Sequence, residues 1–146
     1  MSKDEKIVSS SWVLLFFAWL ISIIATLGSL FFSEVMEFPP CTLCWYQRIM
    51  MYPLVLILFV GLFPLDKTVF RYATPLVVVG FFFAVYHNLL HFKIIPESAS
   101  PCSQGVACST KYIDIFGFIT IPMLSFVSFS VITILLYIIK NKEEKN

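Results

Sequence analysis

The chain has 146 residues, of which 59% are hydrophobic and 13% charged, and its formal net charge is +1. Soluble domains usually carry about 45–50% apolar and about 25% charged residues, so this chain has too little polar surface to cover a globule in water. The composition therefore excludes an ordinary water-soluble protein and indicates a single membrane domain, residues 1–146. No basic stripe is present, which argues against a nucleic-acid partner.

Four apolar runs are long enough to cross a bilayer, which requires about 20 residues in a helix. We predict transmembrane helices at 12–32, 45–63, 73–95 and 116–139, followed by a charged tail at 140–146. The first run could instead be a cleaved signal peptide, because Lys3 and Lys6 precede it. It is, however, longer than the apolar region of a signal, about 7–15 residues, and it lacks a small-residue cleavage site. We therefore expect an all-α membrane protein, a bundle of four transmembrane helices.

The placement of lysine and arginine predicts the orientation of this bundle. With the N-terminus inside, the cytoplasmic segments hold seven of these residues: Lys3, Lys6, Lys67, Arg71, Lys140, Lys142 and Lys145. The outer loops hold only Lys93 and Lys111, while Arg48 lies at the start of a helix. The positive-inside rule then places both termini in the cytoplasm and leaves two short extracytoplasmic loops, about 33–44 and 96–115.

All four cysteines fall in these two outer loops, Cys41 and Cys44 in the first, Cys102 and Cys108 in the second. Four cysteines allow three pairings, and the spacing favours Cys41–Cys44 and Cys102–Cys108. The first pair is a Cys-x-x-Cys before the second helix, where the positive end of the helix dipole stabilises a thiolate. Arg48 follows Cys44 by one helical turn and adds a second positive charge near that sulfur.

Other interpretations of the cysteines are a metal site or structural disulfides. A Cys-x-x-Cys is often half of a zinc site, but the other two cysteines are six apart and neither loop contains histidine. Thiols outside the cytoplasm also tend to be oxidised rather than metallated, so we predict no metal. A disulfide in a four-residue ring removes little chain entropy and suits exchange better than bracing. The second pair could be a clip that shapes its loop, or a disulfide attacked by a soluble partner through a mixed disulfide.

Polar residues in the apolar runs are further candidates. A buried arginine costs about 2.5–3.5 kcal/mol on insertion scales, and less near the interface. Arg48 could therefore snorkel to lipid phosphates, or it could bind an electron-rich ligand beside Cys44, such as a quinone. His87 and His91 share one face of the third helix, where interhelical hydrogen bonding is commoner than a metal or haem pair. His91 is a further candidate for contact with a quinone headgroup.

The segment Cys41-Thr-Leu-Cys-Trp-Tyr-Gln-Arg48 resembles the disulfide bond formation protein B family, DsbB, and its Gram-positive relative BdbC. The resemblance extends over four helices, the second cysteine pair, and the stretch Phe116-Gly-Phe-Ile-Thr-Ile-Pro-Met-Leu124. Only five residues separate Cys102 from Cys108, and this short loop resembles that of the BdbC branch. The best-known DsbB proteins have a longer loop that contains an interfacial helix. Vitamin K epoxide reductase relatives carry their two pairs in the reverse order.

The resemblance implies a membrane thiol oxidase of the bacterial cell membrane that supports disulfide formation in exported proteins. Such an enzyme reoxidises an extracytoplasmic thioredoxin-like thiol oxidase (DsbA- or BdbD-like) and passes two electrons to a quinone, ubiquinone or menaquinone. By resemblance, the Cys102–Cys108 disulfide takes electrons from the partner, with Cys102 at the usual point of attack. The Cys41–Cys44 disulfide then reoxidises that pair, and Cys44 faces the quinone beside Arg48.

Two functions from other classes are alternatives. The chain could be a non-enzymatic membrane scaffold whose disulfides only brace its outer loops. It could also carry reducing equivalents outward from the cytoplasm. That function requires a thiol pair reachable from inside or within the helices, and the predicted topology provides none.

Overall fold

The computed structural model describes residues 3–63, 65–66, 68–101 and 120–144. Within them the chain forms four α-helices: α1 (Lys3–Leu30), α2 (Thr42–Leu62), α3 (Thr68–His91) and α4 (Ile121–Glu144). A π-helical turn, Phe31–Val35, continues α1, and a 3-10 turn, Glu97–Ala99, follows α3. The described residues contain no strand, and each helix is long and apolar enough to cross a membrane. The predicted all-α bundle of four membrane-spanning helices is therefore confirmed.

The start of α2 is fixed by a cysteine rather than by hydropathy. Cys41 has an extended backbone, its sulfur accepts the backbone N–H of Cys44, and its carbonyl accepts the N–H of Trp45. Cys41 is thus the N-cap, a position where a side-chain acceptor satisfies an otherwise unpaired helix N–H. The helix begins at Thr42, three residues before the apolar run that predicted it, because polar residues can form the first turn of a helix.

The end of α3 is set by a left-handed residue. Lys93 has φ 57°, its N–H donates to the Leu90 carbonyl at 3.0 Å, and the Ile94 N–H donates to the Leu89 carbonyl at 3.0 Å. This pair of bonds is the Schellman motif, in which glycine usually occupies the left-handed position. The helix therefore ends at His91, although the apolar run continues to residue 95. The predicted first residues of the fourth helix, 116–119, lie outside the described residues.

The four helices pack in a ring in which α1 and α3 each contact α2 and α4. The connection between α2 and α3 has five residues, which makes these two helices antiparallel neighbours. The centre is filled by buried apolar side chains, including Leu15, Leu54, Leu58, Phe129 and Ile132. Gly80 on α3 lies against the Phe129 ring, which a Cβ at that position would overlap. Large apolar side chains such as Leu27, Leu56 and Val60 point outward, as expected for contact with lipid.

Candidate functional site

A cavity with a volume of about 390 Å³ lies at the end of the bundle where α2 begins. Apolar side chains form most of its walls, and its polar lining includes Cys41, Cys44, Gln47, Arg48, His87 and His91. The structure therefore brings four of the predicted site residues, Cys41, Cys44, Arg48 and His91, to one cavity. Cys102 and Cys108 lie outside the described residues, so their pairing and role stay predictions.

The two cysteines of the Cys-x-x-Cys are free thiols with unequal surroundings. Their sulfur atoms are 2.9 Å apart. Cys41 is 6% exposed, whereas Cys44 is only half-buried at the cavity wall. The sulfurs are close enough for the pair to form a disulfide, and the two residues differ in burial.

His87 adds a third polar group beside this pair. It is 2% exposed, and its Nε2 lies 3.7 Å from the Cys41 sulfur. Gln47, one turn into α2, places its side-chain nitrogen 3.0 Å from His87 Nδ1. When the Gln47 amide donates to Nδ1, the ring proton resides on Nε2 and can be donated to the Cys41 sulfur.

The contacts on Cys41 favour its charged form. The hydrogen bond with the Cys44 thiol lowers the pKa of the Cys41 thiol below its ordinary value, burial opposes this shift, and the hydrogen bond with His87 lowers the pKa further. The N–H of Cys44 at the helix start contributes in the same direction. These groups stabilise Cys41 as a thiolate. Arg48, which the sequence predicted to stabilise a thiolate at Cys44, is not one of them.

Arg48 is held by α1 inside the bundle. Its Nε donates to Ser29 Oγ at 2.8 Å and its Nη2 donates to the Ser29 carbonyl at 2.9 Å. The centre of the guanidinium also lies 5.4 Å from the Trp45 ring centroid, a cation–π distance. These contacts hold the guanidinium against α1 at the cavity wall.

Three further residues at this end, Gln47, Ser29 and Asn88, were not singled out as site residues from the sequence, whereas His87 was already a candidate for interhelical hydrogen bonding or a metal. Gln47, Ser29 and His87 are all part of the contacts around the dithiol, and Asn88 donates to the Ala84 and Pro122 carbonyls at 2.8 and 2.9 Å. Gln47 could have been predicted as a site residue, because it is a polar residue next to Arg48 in an apolar helix. Ser29 gave none, because a single serine in an apolar run is ordinary and its partner is 19 residues away.

Comparison with known sequences identifies the family of the chain. The sequence model of the family "Disulfide bond formation protein DsbB" matches residues 10–139. The chain is 51% identical to Probable disulfide formation protein C 2 of Bacillus cereus over 128 residues, 88% of this chain and 91% of that protein. It is 44% identical to Disulfide bond formation protein C of Bacillus subtilis over 133 residues, 91% and 96% of the two chains. Probable disulfide formation protein of Metapseudomonas resinovorans is 43% identical over 133 residues, 90% and 92% of the two chains. No solved structure gives a significant match.

Proposed function

The chain belongs to the DsbB family of disulfide bond formation proteins, and on that premise we propose that it is a quinone-dependent thiol oxidase of the bacterial cell membrane. The observation that carries the proposal is a single cavity, lined by the Cys41–Cys44 pair and Arg48, within a bundle of membrane-spanning helices. A redox-active sulfur pair, a fixed cation and apolar walls are the groups that a lipid-soluble electron acceptor requires.

The cavity suits a quinone in size and in chemistry. Its volume of about 390 Å³ lies within the usual range for small-molecule sites, roughly 300–1,000 Å³. Apolar residues of α1 and α4, such as Ile24 and Val127, line it together with Arg48. Arg48 would hold a carbonyl oxygen of the headgroup, and the bound quinone would supply a two-electron acceptor. Either ubiquinone or menaquinone meets these requirements.

The protein's own part in the reaction is thiol–disulfide exchange. The Cys41–Cys44 disulfide accepts two electrons from the reduced Cys102 and Cys108, so one disulfide is broken as another is formed. The Cys41 sulfur is then held as a thiolate by Cys44 and His87. Cys44, the less buried residue of the pair, is the group from which the electrons leave. Because Cys41 is already a thiolate, one proton, that of the Cys44 thiol, is released with the two electrons when the Cys41–Cys44 disulfide forms again; the other proton left when the pair was reduced.

The excess of lysine and arginine in the predicted inner segments supports an orientation with both termini in the cytoplasm. In that orientation both cysteine pairs face the outside, where exported proteins acquire disulfides. The electron donor would be an extracytoplasmic thioredoxin-like thiol oxidase whose own dithiol must be reoxidised. The Cys102–Cys108 loop would meet that partner.

The direct test combines the purified protein, a quinone and a reduced thioredoxin-like protein, with quinone reduction followed by absorbance. We expect reduction to require all three components and to be abolished by Cys44→Ala. Leu56→Ala on the lipid-facing side of α2 is the matched control and should retain turnover. Undiminished turnover of Cys44→Ala would contradict the proposal.

A second test uses membranes depleted of quinone. Without an acceptor, electrons accumulate in the protein, so alkylation should find its cysteines reduced. Restoring ubiquinone or menaquinone separately should return them to the oxidised form. Cysteines that stay oxidised in depleted membranes would exclude quinone as the acceptor.

A further inference from the structure

The reduced Cys41–Cys44 pair and His87 have the composition of a metal site. Their ligand atoms, two sulfurs and one imidazole nitrogen, all lie within 4.8 Å of one another. Thiolate and imidazole together select Zn²⁺ and similar d¹⁰ cations over hard cations such as Mg²⁺. The sequence alone argued against a metal because neither outer loop contains histidine, whereas the fold supplies one from α3.

The distances fit tetrahedral zinc after a small movement. With usual Zn–S and Zn–N bond lengths, a tetrahedral site separates sulfur from nitrogen by about 3.6 Å and sulfur from sulfur by about 3.8 Å. The Cys41 sulfur is 3.7 Å from His87 Nε2 and needs no adjustment. The two sulfurs are 2.9 Å apart and must separate by roughly 0.9 Å. The half-buried Cys44 side chain would have to rotate to provide this separation and to bring its sulfur to about 3.6 Å from His87, from which it lies no more than 4.8 Å away.

Gln47 provides the second contact that a metal-bound histidine usually has. A histidine that binds metal through Nε2 carries its proton on Nδ1 and donates it to a neighbouring acceptor. Gln47 lies 3.0 Å from His87 Nδ1, and rotating its amide by half a turn presents the oxygen as that acceptor. The same side chain can therefore orient the imidazole with or without a cation.

We propose that the reduced Cys41–Cys44 pair and His87 bind one thiophilic d¹⁰ cation, represented by Zn²⁺, with the fourth coordination position open to the cavity. Binding releases the thiol protons, so two thiolates neutralise the charge of the ion. The nearby Arg48 guanidinium opposes a cation, which makes the site weaker than one without it. A disulfide offers no thiolate, so only the reduced protein binds.

Zinc would hold both sulfurs and prevent the pair from forming its disulfide. Under the proposed function, such binding inhibits turnover reversibly and acts most strongly when the electron acceptor is scarce. This consequence rests on the proposed function, whereas the binding itself does not. The test therefore measures binding in the absence of quinone and partner protein.

The experiment uses the full chain with Cys102→Ser and Cys108→Ser, purified in detergent, so that only one cysteine pair remains. Titration with Zn²⁺ against a chromogenic chelator should give one ion per reduced chain and none per oxidised chain. X-ray absorption of the zinc-loaded protein should show two sulfur ligands and at least one imidazole nitrogen. Because this measurement needs no further substitution, it decides the ligand set even if a His87 variant fails to fold.

Variants in the same background separate ligand from packing effects. Gln47→Ala should lower the zinc affinity by about 10–100-fold, as is usual for loss of a second contact, and His87→Ala should lower it further. Asn88→Ala removes the neighbouring interhelical bond on α3 and should keep the parent affinity. Equal zinc binding by oxidised protein, an unchanged affinity in His87→Ala, or a zinc site without sulfur would each overturn the proposal.

Discussion

At the scale of single residues, the two thiols of the Cys-x-x-Cys differ in what surrounds them. Both line the cavity, but Cys41 is buried and contacts the Cys44 thiol, the Cys44 N–H and His87, whereas Cys44 is only half-buried. A stabilised thiolate attacks or leaves readily, while an accessible sulfur can meet a second reactant. Cys41 thus has the stabilised thiolate and Cys44 has the accessibility, two properties that a single catalytic thiol would need to have together.

The contribution of His87 can be measured from the pH dependence of alkylation. The lowered pKa of Cys41 keeps its thiolate, and its reaction with iodoacetamide, at pH values below the ordinary thiol range. Because His87 is one cause of that lowering, His87→Ala should raise the pKa and move the alkylation midpoint of Cys41 to higher pH. Mass spectrometry distinguishes Cys41 from Cys44. Asn88→Ala, the control, should leave the midpoint in place, and an unmoved midpoint in His87→Ala would refute the assigned role.

Ser29 positions the guanidinium of Arg48 through two acceptors, its hydroxyl and its carbonyl. Ser29→Ala removes only the hydroxyl, so Arg48 keeps one of its two bonds. We expect the KM for quinone to rise by up to about tenfold, a loss of about 1.4 kcal/mol, with kcat less affected.

Steady-state quinone reduction provides this measurement. Ser22→Ala is the control, since the Ser22 hydroxyl bonds only within α1, to the Trp19 carbonyl, in the described contacts. An equal KM in the Ser29 and Ser22 variants would show that the hydroxyl does not position Arg48.

At the scale of helices, hydropathy predicted the number of elements but not their ends. The ends depend on single residues, such as the Cys41 sulfur that caps α2 and the left-handed Lys93 that terminates α3. A window averaged over about 20 residues cannot register such contacts. The observed helix ends therefore differ by several residues from the predicted ones, although all four predicted helices are present.

The same distinction explains what the sequence revealed of the site. Cys41, Cys44 and Arg48 lie within two turns of one another, so their proximity follows from helix periodicity alone. The contacts of Arg48 with Ser29 and of Gln47 with His87 depend on how each helix is rotated about its axis. Helices that are apolar on nearly every side carry no pattern that specifies this rotation. The interhelical contacts of the site could therefore not be predicted from the sequence and were found only in the structure.

The left-handed Lys93 provides a test of the α3 terminus. A residue with a Cβ is strained at φ 57°, and glycine is not. Lys93→Gly should therefore stabilise the protein by about 1 kcal/mol relative to Lys93→Ala, which removes the same charge but keeps the Cβ. Thermal unfolding in detergent would measure the difference. Equal stability of the glycine and alanine variants would contradict the assigned strain.

At the scale of the whole molecule, polar side chains join neighbouring helices at the end that holds the cysteines. In the described part of the chain, Arg48 joins α2 to α1, Gln47 joins α2 to α3 through His87, and Asn88 joins α3 to α4. These bonds keep the cavity walls in fixed relative positions. The apolar contacts elsewhere in the bundle therefore need not fix the helix positions as closely.

Filling the cavity tests whether it is the quinone site. Gly28 on α1 lines it, and a Cβ placed there would meet no neighbouring atom within 4 Å. Gly28→Trp should therefore occupy the space without disturbing the helices and should strongly reduce quinone-linked turnover. Gly28→Ala adds only a methyl group and should retain most of the activity.

Circular dichroism would confirm that both Gly28 variants keep their helical content. Their oxidation by a small soluble oxidant should also remain, since it needs no space in the cavity. A wild-type KM for quinone in Gly28→Trp would show that the acceptor binds elsewhere.

The bond between Arg48 and Ser29 also bears on the order in which the bundle is assembled during synthesis. The acceptor belongs to α1, which leaves the ribosome first, and the charge arrives with α2. The arginine thus meets its acceptor as soon as the first two helices lie side by side. The partner of Gln47, His87, is made next as part of α3, and the partner of Asn88, the Pro122 carbonyl, follows at the start of α4. Each polar group gains its partner from the helix made just before or just after it, so the bundle can close in the order in which it is translated.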